Sequence, residues 1–87
     1  MYIILVYDIN EKRVNKVLKV CRQYLHRIQN SVLEGEITYA KFRELKKKLK
    51  DIIDEEEDSI LVFKMRSDDL FKREVIGIEE FPIENIF

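Results

Sequence analysis

The chain has 87 residues, enough for one domain (1–87) and too few for separate catalytic and binding domains. Its 46% hydrophobic residues suit a buried core, and its 38% charged residues suit a heavily solvated surface. The single cysteine, Cys21, excludes an internal disulfide framework and fits a reducing, cytoplasmic setting. No run nears the roughly 18 apolar residues of a membrane span, and the first residues lack the basic start of a signal peptide.

Net charge is −1, but the two halves differ. Residues 1–50 hold 12 Lys/Arg against 5 Asp/Glu, and residues 51–87 hold 4 against 12. A chain polarised in this way can offer one surface to a polyanion while the other repels it. The same charges also serve simply to solvate both faces.

Residues 1–8, Met-Tyr-Ile-Ile-Leu-Val-Tyr-Asp, read as an apolar strand ending in a carboxylate. Asn10 is an expected N-cap for a helix whose stripe is Val14, Val17, Leu18, Cys21 and Leu25, with Lys12, Arg13, Lys16, Lys19 and Arg22 on the remaining surface. Residues 26–37 read as extended with an interruption near Asn30-Ser31, either one bent strand or two strands in a tight hairpin. Thr38 is the expected cap of a second helix with the stripe Tyr39, Phe42, Leu45, Leu49, Ile52 and Ile53. The acidic run Asp54–Asp58 reads as a solvated turn into the strand Ser59–Arg66. Asp68-Asp69 marks a further turn, Arg73–Glu80 a last short strand, and 81–87 an apolar tail.

This order fits an α+β fold, a ferredoxin-like β-α-β-β-α-β sandwich with both helices on one sheet face and an extra C-terminal strand. Ile3–Val6 and Ile60–Phe63 are apolar at successive positions, so both faces of the sheet are apolar. A homodimer packed through the uncovered face, with residues from about 74 to 87 packing on the partner protomer, is the expected remedy.

Asp8 is the leading site candidate. An Asp at a strand end is commonly a turn or capping residue, and one carboxylate holds Mg²⁺ weakly. Two Asp8 side chains meeting at a dimer axis would bridge one cation, which could activate water against a phosphodiester. Tyr7, pointing to the other face, is a candidate for stacking on a base or binding a phosphate, with a core aromatic as the alternative. Arg13 is a candidate phosphate ligand. Strict alternation puts Arg27, Gln29 and Ser31 on one polar face suited to a sugar-phosphate backbone. His26 lacks catalytic companions, Cys21 lies on the apolar stripe, and the lysines at 46–50 read as a wet helix face.

With Val6-Tyr7-Asp8-Ile9, Lys12-Arg13 and Arg27-Ile28-Gln29-Asn30-Ser31-Val32-Leu33-Glu34-Gly35 in this order, the chain resembles the small number-two core protein family of the CRISPR adaptation module. The likeness covers essentially the whole chain and departs at Leu33, where the family often carries an aromatic. The resemblance implies a homodimer with the last strand exchanged and a Mg²⁺ ion (Mn²⁺ as the alternative) bridged by paired Asp8 residues. It further implies metal-dependent cleavage of RNA or DNA and partnership with the CRISPR-associated integrase in spacer acquisition. Two other readings stand beside it: a non-catalytic DNA-binding scaffold, and a toxin-like ribonuclease resembling the virulence-associated protein D group.

Overall fold

The computed structural model describes residues 1–65 and 71–78, with the side chains of 71–73 excepted. Its elements run β1 (Tyr2–Asp8), α1 (Glu11–Cys21), β2 (His26–Gln29), β3 (Val32–Glu36), α2 (Tyr39–Ile52), β4 (Ser59–Met65) and β5 (Phe71–Gly77). The strands form one antiparallel sheet in the order β2-β3-β1-β4-β5. The first four strands have the ferredoxin-like order, and β5 is added outside β4.

Both helices start where their caps were expected. Asn10 accepts a hydrogen bond from the Lys12 amide (2.9 Å) and Thr38 from the Lys41 amide (3.1 Å), so each first turn loses one unpaired donor. The helices lay Val17, Cys21, Phe42, Leu45 and Leu49 onto Ile3, Leu5, Leu33, Ile60, Val62 and Ile76. Each such side chain, fully buried, stabilises the fold by about 1.5–3 kcal/mol. Tyr39, placed on the apolar stripe by its spacing, stands 49% exposed in the first turn of α2.

Alternation along β1 turns Ile3, Leu5 and Tyr7 into the core and leaves Tyr2, Ile4, Val6 and Asp8 on the opposite face. The register adds Val32, Phe63, Met65 and Val75, all half-buried, to that second face. The sheet is therefore apolar on both sides, as its unbroken strand runs require.

The segment 26–36 is a hairpin turning at Asn30-Ser31, not one bent strand. Arg27 pairs with Leu33 and Gln29 with Val32, so Ile28 is an extra residue bulged out of the ladder. The bulge breaks the period of two. Arg27 and Gln29 consequently lie on opposite faces rather than sharing the polar face that strict alternation predicts.

The final strand, β5, runs antiparallel along β4, with Glu74–Gly77 opposite Ser59–Val62. β5 ends at Gly77, where φ is +98°. A Cβ there would stand 2.1 Å from the Asp58 carbonyl oxygen, so only glycine fits. Arg66, the turn at Asp68-Asp69, Glu79-Glu80 and the apolar tail 81–87 lie outside the described residues.

Candidate active site at the end of the first strand

Asp8 sits where the sheet opens. The pairing of β3 with β1 ends at Val6↔Val32, with one further bond from the Tyr7 amide to the Ser31 carbonyl (3.0 Å), while β4 continues alongside to Asp8↔Ser59. The chain then leaves the sheet through Ile9-Asn10 into α1. The Asp8 carboxylate is thus exposed at the tip of a buried strand, on the face away from the helices, with no hydrogen-bond or ion-pair partner among the described residues.

The other expected site residues have different employment. Tyr7 is 5% exposed, and its hydroxyl donates to the Asn30 carbonyl (2.8 Å). Its ring ties the β2–β3 turn to β1 and is not offered to a base; burial pushes its hydroxyl pKa up. Arg27 is exposed and donates to the carbonyls of Gln29 (3.3 Å) and Asn30 (3.2 Å), folding its guanidinium back over the hairpin turn. Ser31 is half-buried in that turn, and its backbone carbonyl receives the Tyr7 amide. Leu33, where the sequence departs from the resemblance, is fully buried in the core.

Arg13 is the most heavily bonded of these side chains. Its Nε donates to Asp58 Oδ2 (2.6 Å) and its Nη2 to Asp58 Oδ1 (3.1 Å), a two-pronged pair, while Nη2 also reaches Glu57 Oε2 (3.0 Å). Asp58 is fully buried and accepts two more hydrogen bonds, from the backbone amides of Asn10 and Asp54 (2.9 Å each). The Arg13 guanidinium, aided by these amides, outweighs burial and holds the Asp58 carboxyl down at about 2. Asp58 in turn raises the Arg13 pKa. The last residue of the acidic run is therefore not a solvated turn residue. It locks the β1–α1 junction to the α2–β4 junction, and so fixes the backbone on which Asp8 stands.

The sequence reading passed over one residue of the site. Ser59, directly across from Asp8 and flanked on its other side by Gly77, is fully buried, and its Oγ has no hydrogen-bond partner among the described residues. The only sequence signal for it is its place as the first, polar residue of an otherwise apolar strand.

Among the described residues no group of three His, Cys, Asp or Glu converges to hold a metal ion. No described helix is long and apolar enough to cross a membrane. Among the described residues, the Asp8 carboxylate stands free at the sheet end, braced from behind by a buried ion pair.

Comparison with known proteins places this geometry in a family. The family model described as CRISPR associated protein Cas2 matches residues 1–73. The chain is 54% identical over 86 residues to the CRISPR-associated endoribonuclease Cas2 of Dictyoglomus turgidum, with 99% of each covered. It is 52% identical over 86 residues to that of Thermococcus kodakarensis, again with 99% of each covered. Among solved structures it superposes on "Crystal structure of cas2" with a TM-score of 0.72 at 42% identity, covering 95% of this chain and 93% of that one. It superposes on Streptococcus pyogenes Cas2 at pH 6.5 with a TM-score of 0.71 at 38% identity, covering 78% and 89%. A match over most of the chain, at about half identity to curated relatives and with the same architecture, makes the chain a member of the CRISPR-associated Cas2 family.

Proposed function

We propose that the protein is a CRISPR-associated, metal-dependent endoribonuclease that works as a homodimer with Asp8 as its catalytic and metal-binding residue. The observation that carries this reading is the free, exposed Asp8 carboxylate at the end of β1. The relatives' printed name, endoribonuclease, supports RNA as the substrate, with DNA as the alternative.

A lone carboxylate suits a hard cation's preference for oxygen but supplies one ligand of about six. The donor set fits Mg²⁺, or Mn²⁺ in its place, as half of a site, completed by a second copy's Asp8, water and substrate phosphate. When bound, such an ion supplies Lewis acidity, lowering the pKa of water and offsetting charge on the phosphodiester. The chain's own part is positional: the Arg13–Asp58 pair fixes the β1–α1 junction, and β4 holds Asp8 in line. The half-buried apolar face of Ile4, Val6, Val32, Phe63, Met65 and Val75 supports face-to-face pairing of two sheets, since leaving it wet forfeits about 25 cal/mol per Å². Packing of the C-terminal strand and tail, from about 74 to 87, on the partner protomer belongs to the same proposal.

The test compares wild type with Asp8→Asn on labelled single-stranded RNA and duplex DNA, with Mg²⁺ or chelator, alongside light scattering for the oligomeric state. The expected result is a dimer in both cases and at least a 100-fold fall in Mg²⁺-dependent cleavage in the variant. Equal cleavage by the two refutes the role of Asp8.

A second reading, a non-catalytic DNA-binding scaffold held by the CRISPR-associated integrase, is favoured by the outer faces of the helices. Lys12, Lys16, Lys19 and Arg22 on α1 and Arg43, Lys47, Lys48 and Lys50 on α2 are all exposed. That reading requires duplex binding that weakens steeply with salt, together with integrase association and spacer acquisition that survive Asp8→Asn.

A further inference from the structure

We infer that Ser59 is the positioning residue for Asp8, its hydroxyl serving to orient the carboxylate for a hard cation. The inference rests on the proposed role of Asp8 and extends it to a residue that no motif singles out. Ser59 and Asp8 are direct cross-strand partners, so their side chains project from the same face of the sheet. Opposed Cβ atoms in such a pair stand about 4.5–5.5 Å apart, within reach of a hydroxyl–carboxylate bond after rotation about each Cα–Cβ bond. Both groups are uncommitted: the Ser59 Oγ is buried without a partner, and Asp8 accepts nothing from the described residues.

A buried hydroxyl with no partner is a cost to the fold, and a buried strand position would be filled more favourably by Ala or Val. Its surroundings do not relieve it. Gly77 brings the β5 backbone against Ser59, with an ideal Cβ at Gly77 only 3.4 Å from the Ser59 Cα. Asp58, the preceding residue, has both carboxylate oxygens occupied by Arg13, Asn10 and Asp54. Among the described side chains, the acceptor left beside Ser59 is the Asp8 carboxylate. A hydroxyl donating to one carboxylate oxygen holds the other toward solvent and the cation, which is the usual work of a group behind a metal ligand.

The test uses full-length Ser59→Ala, Ser59→Thr and Asp8→Asn. In metal-free protein, three-bond NMR couplings report the Asp8 χ1 rotamers: one dominant rotamer is expected in wild type and in Ser59→Thr, and an average over rotamers in Ser59→Ala. Mn²⁺ binding, followed by electron paramagnetic resonance, is expected to weaken about tenfold in Ser59→Ala and to recover in Ser59→Thr. The melting temperature of Ser59→Ala is expected to fall by no more than a few degrees, since the bond lost is to an exposed carboxylate that water can satisfy. Unchanged Asp8 couplings in Ser59→Ala overturn the inference, and so does a loss of stability without a change in those couplings. Wild type binding Mn²⁺ no better than Asp8→Asn instead overturns the metal role of Asp8, and the metal-free couplings then decide Ser59 by themselves.

Discussion

Replacing Asp58 by Ala removes four hydrogen bonds at once: two from the Arg13 guanidinium and one each from the amides of Asn10 and Asp54. Deleting one member of a buried ion pair costs about 3–5 kcal/mol, because the remaining charge is left without compensation. Each buried amide left unpaired costs about 1–3 kcal/mol. Arg13 retains 21% side-chain exposure and Glu57 as a second partner, so water and Glu57 recover part of the loss. The expected destabilisation is about 4 kcal/mol, equivalent to roughly 20 °C in melting temperature for a domain of this size. Arg13→Ala leaves both backbone bonds to Asp58 intact and should cost about 2 kcal/mol. A double-mutant cycle in urea at pH 7 should return a coupling of about 1–3 kcal/mol. If Asp58→Ala costs less than about 1 kcal/mol, the pair is not the brace described above. If Arg13→Ala leaves stability unchanged but weakens nucleic-acid binding, Arg13 is a phosphate ligand after all.

The same carboxylate sets an acid limit. The folded Asp58 value of about 2 lies below the unfolded value of about 3.9, so its stabilising contribution is complete above about pH 4 and fades as pH falls toward 2; Asp58→Ala should flatten that limb in acid titrations followed by circular dichroism. Tyr7→Phe deletes the bond to the Asn30 carbonyl and should cost about 1 kcal/mol in urea unfolding while leaving the affinity for RNA unchanged. Gly77→Ala, forcing a Cβ against the Asp58 carbonyl at a positive φ, should lose at least 2 kcal/mol in the same assay; a neutral result would mean that β5 does not end as described. Ile4→Asp, on the apolar face away from the helices, should yield monomers by light scattering and abolish Mg²⁺-dependent cleavage together.

What the sequence made legible was local. The apolar run closed by Asp8, the caps Asn10 and Thr38, and the stripes through Val17, Cys21, Phe42, Leu45 and Leu49 each depend on neighbours within a turn or two. The pattern alone was enough to read them. The pairing of Arg13 was not legible because its partner lies 45 residues away, at the end of an acidic run whose other members are solvated. Charge composition could not single out Asp58 as the buried one. Arg27 and Gln29 were misplaced because a single extra residue at Ile28 inverts the faces beyond it, and bulges carry little sequence signature. The two readings offered for Tyr7, core or ligand, were separated only by the carbonyl that its hydroxyl finds.

The bulge at Ile28 bears on assembly as well as on register. It distorts the outermost strand on one side, where Ile28 is half exposed and flanked by Arg27 and Gln29, so another chain cannot zip onto that border in regular fashion. A sheet blocked along one margin cannot lengthen copy after copy into a fibril. Association is steered toward arrangements that close on themselves, and a pair of molecules is the smallest of these.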